Sequence, residues 1–208
     1  MKKLLLLLIA PFIMGSAMAQ SAKKILDNTA DTFRKSSGTV VSFTATQQGA
    51  RHAVKPITGI ITLRNNSFAL DSDALKAWFD GTTLWTALEG SGEVNVSNPT
   101  SEEIQAINPM HFITLYEKGY DLATKTTKHQ GRIAHEVSMK AKKADAGVQE
   151  MVIIIDKSLN TPMQIKVRKG ATWMTIDINS YRANQNTPTS AFVFDAKAHP
   201  DYEIIDLR

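Results

Sequence analysis

The stretch that decides the fold runs from residue 57 to residue 71 and reads ITGIITLRNNSFALD. Small or apolar residues occupy alternate positions in its first half, which are Ile57, Gly59, Ile61 and Leu63. After two asparagines, the same alternation resumes with Phe68 and Leu70. A period of two is typical of a strand with one apolar face, so the stretch predicts two successive strands joined by a tight turn.

The same period continues on both sides of this stretch. Further strands are predicted at Thr39–Thr46, Glu93–Ser97, Tyr120–Thr127, Arg132–Ala141, Glu150–Asp156, Met163–Arg168 and Thr172–Tyr181. A hairpin is predicted over Leu75–Leu88, and its Asp80-Gly81 pair favours a two-residue type I′ turn. Two short closing pieces are expected at Ala191–Phe194 and Glu203–Ile205.

Helical spacing is found at the start and in the middle of the chain. Ala22, Leu26 and Phe33 share one face of an amphipathic first helix, and Gly38 follows its end. In the middle, Thr100 begins a capping-box pattern, and a second short helix is expected after Pro109. Short helices that are apolar on one side must cover something, and a long twisted sheet tends to curl. The predicted fold is mainly β with an α lid: a single, strongly curved antiparallel sheet that forms an unclosed barrel capped by short helices.

The first nineteen residues indicate export. Lys2 and Lys3 precede a short apolar run, and small residues follow up to Ala19. We predict a signal peptide over residues 1–19 and one domain over residues 20–208, with cleavage before Gln20. The alternative is a retained N-terminal anchor. The chain has no cysteine, so neither a disulfide nor a lipidated cysteine is available, and an exported, soluble protein is expected.

The residues give no positive sign of an enzyme. The five histidines are scattered, and the sequence has no metal-ligand spacing, nucleophile elbow or phosphate-binding loop. A Ser-His-Asp hydrolase assembled from separate strands stays open, because geometry sets such triads. Asp156 and Asp177 are interpreted as a turn residue and a solvent-facing strand residue. Scattered basic residues do not indicate a nucleic-acid partner, and no cofactor is expected.

Five segments together resemble the LolA family of periplasmic outer-membrane lipoprotein carriers, especially its divergent members. The segments are Val41-Ser42-Phe43-Thr44 after the opening helix, Gly59 to Arg64 running on to Phe68, Phe79-Asp80-Gly81-Thr82-Thr83-Leu84-Trp85, Asn108-Pro109, and Phe192-Val193-Phe194 with the tail Glu203 to Arg208. The resemblance implies an unclosed barrel with a helical lid. It also implies a monomeric, non-enzymatic shuttle that takes lipoproteins from an inner-membrane transporter to an outer-membrane acceptor.

The resemblance also gives roles to single residues. The family's lid-latching arginine corresponds to Arg64, although Asn65 stands where the family often has proline. The expected lining of an acyl-chain cavity is Phe43, Phe68, Leu70, Trp85, Ile104, Ile107 and Phe112. From the residues alone, an ordinary filled core is the alternative to that cavity. A lipid-binding sensor or interaction module on the same scaffold is the alternative function.

Overall fold

The structure, a computed structural model, describes residues 13–49, 55–100, 104, 115–117 and 119–208. Its long helix, α1, spans Ile13–Arg34. The strands before the middle of the chain are β1 (Thr39–Gln48), β2 (Ile57–Arg64), β3 (Ser67–Ser72), β4 (Leu75–Phe79), β5 (Leu84–Leu88) and β6 (Glu93–Ser97). Those after it are β7 (Tyr120–His129), β8 (Arg132–Ala141), β9 (Glu150–Asp156), β10 (Pro162–Lys169), β11 (Thr172–Arg182) and β12 (Glu203–Asp206). Short 3-10 helices lie at Leu115–Glu117 and Thr189–Phe192.

The twelve strands in the described ranges form one sheet in the order β12-β6-β5-β4-β3-β2-β1-β11-β10-β9-β8-β7. β12 and β7 are its two edges and do not pair with each other, so the barrel is unclosed. The predicted fold class is confirmed, with one correction to its antiparallel pairing. β12 pairs with β6 in parallel, because the chain leaves β11, crosses one face of the sheet and joins the far edge.

One face of this sheet, called here the inner face, carries two buried apolar clusters. The first surrounds Val137 and Ile153 and includes Ala22 and Leu26 of α1. The second surrounds Val41 and Ile61, and Phe33 of the same helix packs against it. Members of the two clusters lie on strands from β8 to β5, which are eight strand spacings apart and would span about 38 Å if flat. The sheet curves around α1, so one helix covers parts of both halves.

Two irregularities in the strand ladders accompany this curvature. The register between β1 and β11 shifts at Ser42 and Phe43, and that between β9 and β10 shifts between Pro162 and Gln164. Bulges of this kind bend a strand and increase its local twist. The sequence indicated the strands on both sides of each bulge but not the extra residue.

Two local predictions differ from the structure. The turn after Phe79 has four residues rather than two, because Phe79 pairs directly with Leu84. There the Asp80 carboxylate accepts the backbone N–H groups of Thr82 and Thr83, at 2.8 Å each, so a side chain organises the turn. Ala191–Phe194 is not a closing strand, because a 3-10 helix occupies Thr189–Phe192.

Helix α1 begins at Ile13, before the predicted first helix, and runs through the predicted cleavage site. The boundary after Ala19 stays a prediction. The short helices expected between residues 98 and 118 lie mostly outside the described residues. Within the described part of the chain, no helix combines the length and apolarity needed to cross a bilayer.

Candidate ligand-binding face

Burial on the inner face changes along the direction of the strands. At the end where β1 begins, the face is sealed: Thr39, Leu63 and Phe68 oppose one another on β1, β2 and β3 and are all buried. Phe68 is 0% exposed and packs on Phe79 with ring centroids 5.6 Å apart. A residue in this position contributes to the stability of the fold and is not accessible to a ligand.

Further along the same strands, the face is only half covered. Its half-buried apolar side chains, called here the apolar strip, are Phe43, Ile57, Leu70, Ile176 and Ile178. The strand ladders make the strip continuous: Phe43 opposes Ile178, while Ala45 lies between Ile176 and Ile57. The strip connects the two buried clusters, because Ile176 packs against the first and Ile178 against the second.

Gly59 fixes where the ring of Phe43 lies. The two residues oppose each other on β2 and β1. A β-carbon on Gly59 would lie 2.9 Å from Phe43 Cζ, 2.9 Å from the Asp71 carbonyl oxygen and 2.8 Å from Ser72 Cβ. A side chain larger than hydrogen would therefore push against both the ring and the backbone of β3. The glycine lets the aromatic ring lie flat over the neighbouring strand, inside the apolar strip.

A polar contact fastens α1 to the segment before β7. Tyr116 is buried, and its hydroxyl donates a hydrogen bond to Asp27 Oδ1. Lys23 donates to the same carboxylate at 2.8 Å. Burial opposes ionisation of Asp27, but the Lys23 and Tyr116 hydrogen bonds together lower its pKa below the ordinary value. Burial and the nearby Asp27 charge raise the pKa of Tyr116 well above its usual range, so its hydroxyl keeps the donated proton.

The structure brings together some of the predicted lining residues. Phe43, Phe68 and Leu70 share the inner face, and the half-buried Ile104 packs against the second cluster. Trp85 lies on the opposite face, because it opposes Val96 and packs in a third cluster with Val94 and Phe194. Ile107 and Phe112 lie outside the described residues.

Arg64 also points away from the inner face. Its Nη1 donates a hydrogen bond of 2.6 Å to the carbonyl of Thr187, in the segment after β11. The same segment is tied to the end of α1, since Gln185 N–H donates to the Gly38 carbonyl at 3.0 Å. A β-carbon on Gly38 would lie 2.4 Å from the Gln185 carbonyl oxygen, so glycine is needed for this close approach. Among the described residues, Arg64 fastens this C-terminal segment.

The same C-terminal segment covers the outer face of β4, β5 and β6. Phe194 packs edge-on against Trp78 at 5.3 Å between ring centroids and stacks on His199 at 5.4 Å. Tyr202 packs against the same group, and β12 follows it along β6. The aromatic residues on the outer face of β4 and β5 therefore form a covered core and are not available to a ligand.

Sequence reasoning did not place Ile176 and Ile178 in the candidate site. The signal was present, because Met174, Ile176 and Ile178 alternate along β11 with polar residues. The pairing of β11 with β1 brings them to Phe43, and that pairing joins strands more than a hundred residues apart. Asp156 and Asp177 are not part of the site. Asp156 Oδ1 accepts the N–H groups of Ser158 and Leu159 in a turn, as predicted, and Asp177 lies on the outer face, where it accepts a hydrogen bond from Gln164.

The described residues contain no group of three or more histidine, aspartate or glutamate side chains that could hold a metal. The geometry thus defines a class of protein: an unclosed β-sheet that curves around a helix, with an apolar inner face that is partly uncovered. The profile of the family described as outer membrane lipoprotein carrier protein LolA matches residues 14–171. The chain belongs to this family, as a divergent member.

Solved structures with the same fold have very different sequences. An uncharacterized conserved protein from Thermus thermophilus aligns with a TM-score of 0.62 and 10% identity, over 90% of this chain and 99% of that chain. The Mycobacterium tuberculosis lipoprotein LppX aligns with a TM-score of 0.52 and 10% identity, over 82% and 98%. A LolA superfamily protein from Nitrosomonas europaea gives 0.44 and 9%, over 83% and 97%. No curated protein sequence matches the chain. At these identities the likeness to the first two structures shows the fold alone.

Proposed function

We propose that the chain is a periplasmic carrier that binds the acyl chains of lipoproteins and shuttles them from the inner to the outer membrane. The observation that carries the proposal is the apolar strip, since half-buried apolar side chains that adjoin a sealed core offer a surface for hydrocarbon. Membership of the LolA family supports lipoproteins as the cargo. The proposed partners are an inner-membrane lipoprotein-releasing transporter and an outer-membrane acceptor.

The proposed site has a floor, a wall and a cover. The floor is the sealed end of the inner face, next to the strip. Phe68 belongs to it, because its side chain is fully buried there. Phe43 and Leu70 with the two isoleucines of β11 form the wall that contacts the ligand. We propose Ile104, Ile107 and Phe112 for the cover, supported by the packing of Ile104 against the second cluster. Trp85 is left out of the lining because it lies on the other face.

Partial coverage of the ligand suits a carrier that must release its cargo. Burying an acyl chain stabilises a complex by about 0.8 kcal/mol per methylene, so full burial of roughly sixteen carbons would give about 12 kcal/mol. Two or three fully buried chains would exceed the practical ceiling of about 18–21 kcal/mol for non-covalent affinity. A half-covered strip holds hydrocarbon more weakly than a closed cavity. The proposed role is binding and transfer by a monomer, without catalysis.

The proposal is tested by incubating the purified protein with spheroplasts that carry a newly synthesised triacylated lipoprotein. We expect the lipoprotein to appear in the soluble fraction bound to the carrier. Phe43→Asp should abolish this release, because a carboxylate in the strip would face hydrocarbon. Ile60→Asp is the matched control, since Ile60 lies on the outer face of β2 and is 48% exposed.

The outcomes separate the parts of the proposal. If the protein releases no lipoprotein but is purified with bound lipid, the cargo class is wrong and a lipid-binding module is supported instead. If Phe43→Asp and Ile60→Asp impair release equally, the strip is not the binding surface. Thermal melts of both variants are compared first, so that loss of folding is not mistaken for loss of binding.

A further inference from the structure

The inner face changes from apolar to cationic across β7, β8 and β9. The strand ladders there set opposed residues into three rows, from the centre of the face to its rim. The rows are Thr124, Val137 and Ile153; then Thr126, His135 and Ile155; then Lys128, Ile133 and Lys157. Lys157 joins the last row because its backbone N–H donates to the Ile133 carbonyl at 3.1 Å. Residues two apart on a strand are about 7 Å apart, so the change takes roughly 14 Å.

The two lysines of the rim lack a carboxylate partner among the described residues. Lys128 and Lys157 flank Ile133, an apolar side chain that is 53% exposed. On the other face of the same strands, two of the three cations are paired among the described residues: Lys125 lies 3.0 Å from Glu136, and Arg132 lies 2.9 Å from the buried Asp156, whereas Lys140 has no ion pair there. In the part of the chain that the structure describes, the outer face of β7 and β8 thus pairs two of its three cations, and the rim of the inner face pairs neither of its two lysines.

The two faces of the sheet also differ in their acidic residues. β1–β5 and β7–β11 contain six aspartates and glutamates, and the strand ladders place all of them on the outer face. They are Asp71, Asp121, Glu136, Glu150, Asp156 and Asp177. The inner face of these ten strands is thus apolar and cationic, without a negative charge. Such a surface disfavours a cationic ligand and favours an anionic one.

The middle row offers polar groups between the lysines and the apolar centre. Burial lowers the pKa of His135, and the charge of Lys157 lowers it further. Thr126 opposes His135. In the first row, Thr124 Oγ1 is buried without a hydrogen-bond partner. Buried polar atoms normally have a partner, so this hydroxyl is an unused polar group two rows from the rim.

We propose that this rim binds the phosphate of an anionic acylated ligand, such as a phospholipid. The inference rests on the proposed function, because it takes the acyl chain to lie on the same inner face. Lys128 and Lys157 contact the phosphate, and Thr126 and His135 offer hydrogen bonds to the linking oxygens. The nearest part of the strip, Ile178, lies two strand spacings across and about one row along the sheet from Lys157, roughly 12 Å away. One acyl chain spans about half of a 30 Å hydrocarbon core, so it reaches from the rim to the strip.

The test compares two ligands that differ only in the phosphate. Palmitoyl lysophosphatidic acid and monopalmitoylglycerol are titrated separately, below their micelle-forming concentrations, into the purified protein in a calorimeter. We expect the phosphate-bearing lipid to bind about tenfold more tightly, as charge-assisted contacts to two lysines would give. The double variant Lys128→Gln, Lys157→Gln should bind both lipids equally. Lys125→Gln, which removes a cation from the outer face of the same strand, should keep the preference.

Inorganic phosphate is titrated alone in a third arm. Inorganic phosphate that binds as tightly as lysophosphatidic acid, with no binding of monopalmitoylglycerol, would overturn the claim that the ligand carries an acyl chain. The rim would then be a site for a free anion. Equal affinity of the unchanged protein for the two lipids would overturn the anionic site and leave the acyl-chain carrier intact. If neither lipid binds, both the anionic site and the proposed acyl-chain carrier are overturned. A loss of preference in Lys125→Gln equal to that in the double variant would overturn the assignment to the rim.

Discussion

Truncation of two phenylalanines on the same face should separate the floor of the site from its ligand-binding surface. Phe43 and Phe68 lie on the inner face, about 13 Å apart along the strand direction. Phe68 is fully buried against Phe79, whereas Phe43 is half-buried and lies in neither buried cluster. Phe43→Ala and Phe68→Ala remove the same atoms, so any difference in effect comes from their surroundings.

The expected magnitudes differ for stability and for binding. Truncation of a fully buried phenylalanine typically costs about 3–5 kcal/mol, so Phe68→Ala should lower the unfolding free energy by about 4 kcal/mol. Half of the burial energy of a phenylalanine is about 1 kcal/mol, which is the expected cost of Phe43→Ala. In binding, the order reverses: Phe43→Ala should weaken palmitate binding about fivefold to tenfold, since its ring would lose roughly 1–1.4 kcal/mol of contact with the chain.

Urea unfolding followed by circular dichroism measures the first quantity, and displacement of a fluorescent fatty acid measures the second. Binding by Phe68→Ala is measured without urea, at a temperature where the variant is fully folded. Equal destabilisation by the two variants, with unchanged binding by Phe43→Ala, would refute the reasoning. In that case Phe43 would be part of an ordinary filled core.

Two further predictions concern contacts that hold the chain together. Arg64→Ala should lower the unfolding free energy by about 1.5–3 kcal/mol, the usual worth of a charged hydrogen bond, and speed amide exchange around residues 184–192. Tyr116→Phe should raise the pKa of Asp27, because the lowered value depends in part on the Tyr116 hydroxyl. The ionised Asp27 stabilises the fold above its unfolded pKa, and this contribution disappears as the pH falls through the lower folded value, below about pH 4. A carbon-13 NMR titration of the Asp27 carboxyl group measures the change.

Each of these predictions has an outcome that contradicts it. Arg64→Lys is the control for charge, since it keeps the cation but loses the planar fork that reaches the Thr187 carbonyl. Unchanged exchange in residues 184–192 of Arg64→Ala, with faster exchange in residues 101–114, would assign Arg64 to the lid instead. An Asp27 pKa that is the same in Tyr116→Phe and in the unchanged protein would show that Lys23 alone stabilises the carboxylate.

Most strands of this fold could be predicted because their signal is local. Alternation along Ile57–Asp71 depends only on neighbouring residues, and it gave the positions of β2 and β3. The four-residue turn after Phe79 was missed, because the Asp80 side chain accepts two further backbone N–H groups and so organises a longer turn, in which Gly81 has a positive φ. The parallel pairing of β12 was missed because it depends on where the chain travels after β11.

The candidate site was less predictable than the fold. Phe43 and Trp85 are both aromatic residues in alternating strands, and nothing within either strand distinguishes their faces. Trp85 is buried on the outer face, because the C-terminal segment with Phe194 and β12 packs over that face. The two lysines of the rim could not be distinguished from other basic residues in the sequence. The ion pairs of Lys125 with Glu136 and of Arg132 with Asp156 join separate strands, so only the paired sheet shows which cations have a partner.

The amino-acid sequence by itself determined which segments become strands, that each has one apolar face, and that no cysteine can staple them. Only the tertiary structure decided which apolar residues are sealed and which stay half covered. The physical reason is range: strand formation follows from residues two apart, whereas burial depends on strands that meet only after the sheet has paired β1 with β11 and curved around α1.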